Sequence, residues 1–441
     1  MRMLSFSDPQ PLLDLVADQK QSLARGIYSI CSANPYVLEA GMLQAAEDGE
    51  PLLIEATCNQ VNQFGGYSGM LPAGFAAYVA GIAGRMGYSP AQIILGGDHL
   101  GPSPWQYEPA RSAMLKACRL VHDYVAAGFT KIHLDASMRC ADDDPHKPLH
   151  PRVSVQRAAS LCQAAEQAHA DLSYGAPPVF VIGTEVPVPG GVNAGETGLL
   201  VSDPVETRQV IEMFRTEFEQ AGLQDAWQRV IALVVQPGVE FGHTAIHEYD
   251  PAQSRALSRM IDSIPAMVFE AHSTDYQSPE ALRQLVVDHF AILKVGPGLT
   301  FAFREAVFAL ARMENEWLAG KTNATLSQLI DVVDTAMLRN PRHWEKYYLG
   351  TPPETAIARK YSLSDRIRYY WPDPAVQQAL DRLLYNLEQN PPPLSLISQY
   401  LPVQYRHIRQ KRIPRQARSM IWDHIRETLR SYALACRVRD E

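Results

Sequence analysis

An α/β barrel of the TIM (β/α)8 type, carrying a C-terminal α-helical extension, is the fold this sequence predicts, and three observations predict it. Eight short β-branched runs recur along the first two thirds of the chain. Amphipathic segments at helical spacing separate them. Six of the runs end in clusters of Asp, His, Glu and Gly, which is where a parallel barrel carries its chemistry.

The runs are residues 26–33, 51–57, 91–97, 129–137, 179–186, 229–238, 266–273 and 290–298. Residues 35–50, after the first run, and 108–128, after the third, show small apolar residues at helical spacing. Strand–helix alternation over about 280 residues implies a parallel sheet. Eight units suit closure into a barrel, with an open doubly wound sheet as the rival. No glycine fingerprint of the dinucleotide or P-loop kind follows the first run, which weakens that rival. Past residue 320 the texture changes to Arg, Tyr, Trp and Pro, with helices punctuated by proline. Residues 1–320 are therefore assigned to the barrel with its metal and substrate site, and 321–441 to an α-helical extension packed on it. The basic stretch 406–418 reads as a solvated helix face.

The chain has 441 residues and a net charge of −8 without a basic block, which argues against nucleic acid and anionic membranes as partners. No apolar stretch approaches the roughly 18–20 residues of a spanning helix. The N-terminus lacks the pattern of a secretory signal. Six cysteines without a CxxC spacing fit reduced thiols in a cytoplasmic protein.

Asp98 and His99 follow two glycines at the end of the third run. His243 and His272 also fall just past strand ends. Three imidazoles from different strands with an open fourth position describe a catalytic zinc site; the plainer reading is three separate histidines satisfied by backbone hydrogen bonds. His133, inside a strand, fits a core or supporting role better. Asp135 shares one strand face with His133. It either enters the barrel mouth as a catalytic group or orients a metal-binding imidazole. Glu185, before the stiff VPVPGG loop, is a catalytic carboxylate or an ion-pair partner of a barrel lysine, with Lys294 the natural choice. Glu270 and Asp275 flank His272, one of them as its support. Gly296 and Gly298 precede a helix whose N-terminal amides suit a phosphate; Arg304, further along it, reads as solvated. The amide-rich loop with Asn59, Gln60, Asn62 and Gln63 suits sugar hydroxyls. With Ser273, Asp275, Lys294 and Gly296 it makes up the expected substrate contacts.

The segments LLIEATCNQVNQFGGYSGM, ILGGDHLGP, IHLDASM, GTEVPVPGG, VVQPGVEF, FEAHSTDYQ, LKVGP, RIRYYWPD and LSLISQYLP resemble the Z-type subunit of D-tagatose-1,6-bisphosphate aldolase. That family serves galactitol and N-acetylgalactosamine catabolism. The resemblance implies a ketohexose phosphate as ligand, either tagatose 6-phosphate or the 1,6-bisphosphate, and a Y-type aldolase subunit as partner. A homo-oligomer is left open. More distantly, the barrel resembles class II ketose-bisphosphate aldolases. That likeness implies Zn2+, or another divalent metal, on His99, His243 and His272. It also implies Asp98 as general acid/base, Asp135 in place of the aspartate of an MIDGS strand, and Glu185 as a second acidic strand end. Two segments depart from the pattern. STDYQ stands where those enzymes have a Gly-rich phosphate loop, and Gly-Pro-Gly-Leu-Thr replaces Asn-Ile-Asp-Thr. The expected activity is aldol-type chemistry at C3–C4, either retro-aldol cleavage or 4-epimerisation between tagatose and fructose 6-phosphates. The alternative is a non-catalytic subunit that stabilises its Y-type partner. A kinase name sometimes given to this family finds no nucleotide-binding motif here.

Overall fold

The eight β-branched runs fold as eight parallel strands: β1 (Ile27–Ile30), β2 (Leu52–Thr57), β3 (Ile93–Leu100), β4 (Lys131–Asp135), β5 (Val179–Gly183), β6 (Val230–Val234), β7 (Val268–Ala271) and β8 (Phe290–Val295). They close into a barrel in the order β1-β8-β7-β6-β5-β4-β3-β2. The computed structural model describes residues 6–172, 175–184, 200–321 and 324–437. A feature outside the alternation is a short antiparallel ladder, Glu240–Phe241 with Ile246–His247, that follows β6.

Side chains alternate along each strand, so every second residue enters the barrel. Leu53, Ile94, Val181, Val268 and Ile292 form one apolar interior cluster. Leu12, Leu15 and Val16 of the helix Gln10–Lys20 pack into the same cluster and seal that end. Two residues further along their strands, Leu53, Val268 and Ile292 give way to Glu55, Glu270 and Lys294, all buried. The interior is thus apolar at the strand starts and charged towards their C-terminal ends. Gly96 makes that change possible, because a Cβ there would lie 2.6 Å from Cγ of Glu55.

Helices surround the strands. The helix Pro35–Asp48 starts at Asn34, whose Oδ1 accepts from the amides of Tyr36 and Val37. The last helix, Ala417–Cys436, lies between Pro35–Asp48 and Pro279–Val287 and also packs on Pro297–Leu318. It therefore fills a place in the outer ring that joins the first strand's helix to the seventh's. Trp422 Nε1 donates to Glu39 Oε2 at 2.9 Å, and the Tyr432 hydroxyl donates to the Thr274 carbonyl at 2.7 Å. Arg304, expected in solvent, is 4 % exposed and stacks 4.0 Å from the Phe301 ring centroid. The helix Pro297–Leu318 is apolar enough to be covered by the extension along most of its length. Among the described residues, no helix is long and apolar enough to cross a membrane.

Glu314 ties the extension to that helix. Its carboxylate accepts from the Ser327 amide at 3.1 Å, the Ser327 hydroxyl at 2.5 Å and Asn386 Nδ2 at 2.6 Å. Glu314→Ala leaves the buried Ser327 amide without its acceptor and Asn386 Nδ2 with the Thr325 carbonyl alone. The expected loss is about 2–4 kcal/mol in urea unfolding; an unchanged midpoint would show that the network contributes nothing.

Candidate active site

β4 presents Lys131, His133 and Asp135 on its interior face, as period-two alternation requires. Lys131 is fully buried and ion-pairs Glu55 Oε1 at 2.7 Å and Glu270 Oε2 at 2.6 Å. Lys294, from β8, lies 2.8 Å from Glu55 Oε2 and 3.1 Å from Asp98 Oδ1. Ser29 of β1 donates to Glu55 Oε1 at 2.7 Å. Four buried carboxylates (Glu55, Asp98, Asp135 and Glu270) thus face two ammonium groups and the His99 imidazole, which Asp98 and Asp135 pull towards its charged form against burial. Burial opposes the charge on Asp98, yet His99, Lys294 and the His133 hydrogen bond hold its carboxyl well below the usual range. Glu270 is likewise held down by Lys131 and Lys294 against burial.

Three imidazoles converge above these charges. Ring centroids are 4.8 Å apart for His99–His272, 5.2 Å for His133–His272 and 5.3 Å for His99–His133. His99 reaches the mouth through a left-handed backbone (φ 50°) at a register shift between β3 and β4, and Ser273 beside His272 is also left-handed (φ 55°). Such conformations in non-glycine residues cost free energy and gather at functional sites. Asp135 Oδ2 sits 2.8 Å from His99 Nδ1, while its other oxygen accepts from the Ser137 amide and hydroxyl. Asp135 therefore orients the His99 ring. Burial lowers the His272 imidazole to about 4, against the pull of Glu270 3.0 Å from its Nε2, so the ring is neutral at pH 7.

The donor set suits a divalent cation. One ligand atom each from Asp98, His133, Glu270 and His272 lies within 4.8 Å of the others, and all four residues are buried. His133 Nε2 is buried with no partner among the described residues. Nδ1 of the same ring lies 3.0 Å from Asp98 Oδ1, the kind of support that fixes a ligating imidazole. A dication would also meet an excess of buried carboxylates over ammonium groups. Mixed imidazole and carboxylate ligands fit zinc among other divalent metals.

His243, expected as the third imidazole, stands elsewhere. Its Nε2 lies 2.8 Å from the Tyr347 carbonyl and its Nδ1 3.1 Å from the Ser364 hydroxyl, so both ring nitrogens are committed to the extension. His133 occupies the place it was expected to take. Glu185 lies outside the described residues, and the described partners of Lys294 are Glu55, Asp98 and, at 3.7 Å, Glu270. A cavity of about 550 Å³ opens over the cluster, within the usual range for small-ligand sites. Asp98, His99, His272, Asn59, Gln60, Ser273, Asp275, Lys294 and Gly296 all line it. Asn62 and Gln63 do not. Asn62 caps its own loop through Phe64 and Gly66, and Gln63 donates to the Lys116 carbonyl. The amides expected to hold phosphate are already taken: Asp275 Oδ1 accepts from Gly296 at 3.0 Å and Gly298 at 2.7 Å. The extension supplies the remaining wall, including Arg342, Lys346, Arg366 and Arg368.

A family profile described as "D-tagatose-1,6-bisphosphate aldolase subunit GatZ/KbaZ-like" matches residues 12–437. The chain belongs to the GatZ/KbaZ-like family. A similar solved structure is a probable tagatose 6 phosphate kinase from Sinorhizobium meliloti 1021, at 44 % identity and a TM-score of 0.85. That alignment covers 93 % of this chain and all of the other. More remote are a fructose-bisphosphate aldolase from Campylobacter jejuni (13 % identity, TM-score 0.45, covering 88 % and 94 %) and the YdjI aldolase from Escherichia coli K12 (12 %, 0.40, covering 86 % and 96 %). Likeness at that level bears no weight.

Sequence reasoning passed over Glu55 and Lys131, and gave His133 and Glu270 lesser parts. Strand alternation held the signal for Lys131, since residues 131, 133 and 135 must share a face. Lys131→Met would leave Glu55 and Glu270 with too little positive charge in a dry interior. A loss of about 3–5 kcal/mol in chemical unfolding is expected, and a neutral effect would overturn the pairing as described. Burial lifts the Asp275 carboxyl to about 6, against its two glycine amides. Its folded-state value exceeds the unfolded one, so its stabilising contribution is full below about pH 4 and is lost as pH rises through 6. Asp275→Asn keeps the acceptor oxygen without the charge. The variant should therefore gain on wild type, by up to about 3 kcal/mol, between pH 4 and 7.5; parallel melting curves across that range would refute it.

Proposed function

We propose that this GatZ/KbaZ-like chain carries a divalent-metal site performing aldol-type chemistry at C3–C4 of a ketohexose phosphate. One observation carries the reading: Asp98, His133, Glu270 and His272 bring one ligand atom each within 4.8 Å of the others, beside a cavity that Asp98, His99 and His272 line. His133 and His272, with Asp98 and Glu270, would hold the cation, and His99 stands beside them. When bound, such a cation polarises a ketose C2 carbonyl as a Lewis acid. Zinc is the reference case for this ligand chemistry.

The chain's own groups account for the proton. Asp98 enters as a carboxylate and takes the proton from the C4 hydroxyl. The C4–O bond becomes a carbonyl as the C3–C4 electron pair moves onto the C1–C3 fragment. Departure of the aldehyde and transfer of the proton from Asp98 to C3 of the remaining fragment complete a cleavage. If the aldehyde turns its other face and the bond re-forms, the proton returns from Asp98 to O4 and the product is the 4-epimer. Both outcomes balance without an oxidant or a second substrate. Asp135 is a positioning residue through His99, and Lys294 keeps Asp98 ionised. Glu185 completes the proposed acid/base set. Asn59, Gln60 and Ser273 line the cavity where sugar hydroxyls would lie.

The word "subunit" in the family description supports a second reading, a stabilising partner of a separate Y-type aldolase. Purified chain, alone and with zinc, should turn over tagatose 6-phosphate or the 1,6-bisphosphate. Asp98→Asn should lower that rate by about 10²–10⁴-fold. Metal content should fall in His133→Ala and His272→Ala and persist in His243→Ala. No turnover on either sugar, with rescue of an added Y-type subunit's stability, leaves the second reading; equal metal content in all three histidine variants removes the ligand assignment.

A further inference from the structure

Two segments of the extension bring Arg342, Lys346, Arg366 and Arg368 to the cavity that holds Asp98 and His272. Three other buried or part-buried arginines are paired with carboxylates: Arg157 with Asp143 at 2.7 Å, Arg229 with Glu166 at 2.6 Å and Arg359 with Asp334 at 2.7 Å. These four basic residues form no ion pair among the described residues. Their anchors are neutral. Arg368 donates to the Ser364 and Asp365 carbonyls at 2.5 and 3.0 Å and to the Tyr369 hydroxyl at 2.9 Å. Arg366 donates to the His343 carbonyl at 3.2 Å and lies 3.1 Å from the Tyr347 ring centroid. Arg366 is 3 % exposed, and its buried Nε has no partner among the described residues. Arg342 Nε meets His343 Nε2 at 2.8 Å. Buried Asp365 and Asp275 feel the Arg368 charge without pairing with it, but the four basic groups outnumber these two carboxyls and, in a chain of net charge −8, concentrate positive potential on one wall.

We propose that this wall is the subsite for the phosphoryl group of the sugar, with Arg366 and Arg368 as its main donors and Arg342 and Lys346 adding charge at the rim. The proposal rests on the reading of the cavity as a ketohexose phosphate site and adds where the phosphate goes. Planar guanidinium groups match phosphate oxygens two at a time. The competing location, the N-terminus of the helix Pro297–Leu318, already holds the Asp275 carboxylate. The extension is then part of the binding site, and it discriminates phosphorylated from free sugar.

Calorimetry on the full chain tests this with D-tagatose 6-phosphate, D-tagatose and inorganic phosphate as probes. Wild type should bind the phosphorylated sugar at least about tenfold more tightly than the free sugar. Arg342→Gln with Lys346→Gln, both at exposed positions and harmless to folding, should cut that preference severalfold. Arg368→Gln should cut it about tenfold or more, with a larger loss of affinity for D-tagatose 6-phosphate than for D-tagatose. Inorganic phosphate should compete for wild type and lose that ability in the variants. Equal binding of the two sugars by wild type, binding of neither, or a preference that survives in every variant overturns the subsite. The aldol reading stands or falls separately: turnover without phosphate preference keeps it, and phosphate preference without turnover removes it while leaving the subsite.

Discussion

The rest of the barrel mouth depends on one buried arrangement, Lys131 held between Glu55 and Glu270 with none of the three exposed. Removing three charges from water is costly, and only close geometry and further hydrogen bonds offset it. Here Ser29 supplies one such bond and Lys294 another ion pair. The consequences spread outward. Glu270 fixes His272, Lys294 fixes Asp98, and Asp98 fixes His133. Gly96 gives up its side chain to make room for Glu55. No member of this lattice can move alone, which is how a preorganised site is kept in place.

Much of this was readable in the chain, for identifiable reasons. β-branched runs between amphipathic segments marked all eight strands, and the barrel order followed from parallel alternation. Asp98, His99 and His272 were legible because they sit at strand ends where polar residues have no structural excuse. Glu55 was not, because one carboxylate inside LLIEAT leaves the run looking like an ordinary buried strand. His243 misled for a physical reason: the ladder Glu240–Phe241 with Ile246–His247 intervenes after β6, so a residue just past a strand end is carried away from the barrel mouth. The glycines at 296 and 298 misled differently. Helix N-terminal amides accept any anion, and Asp275, two elements away in sequence terms, claims them first.

The basic wall was illegible for a third reason. Arg342 and Lys346 lie in one polar stretch of the extension and Arg366 and Arg368 in another, and no local period links either to the barrel. Their meeting is a tertiary fact. Tyr67, from the loop after β2, stacks edge-on at 4.8 Å with Tyr369 and brings the two regions together.

The return of the helix Ala417–Cys436 to the barrel has a consequence in time. Trp422 and Glu39 are 383 positions apart, so the helix Pro35–Asp48 gains this partner only long after it has itself been made. Until residues 417–436 emerge, the flanks of Pro35–Asp48 and Pro279–Val287 present apolar surface to any cellular holdase nearby. Completion of the outer ring therefore waits until residues 417–436 have left the ribosome.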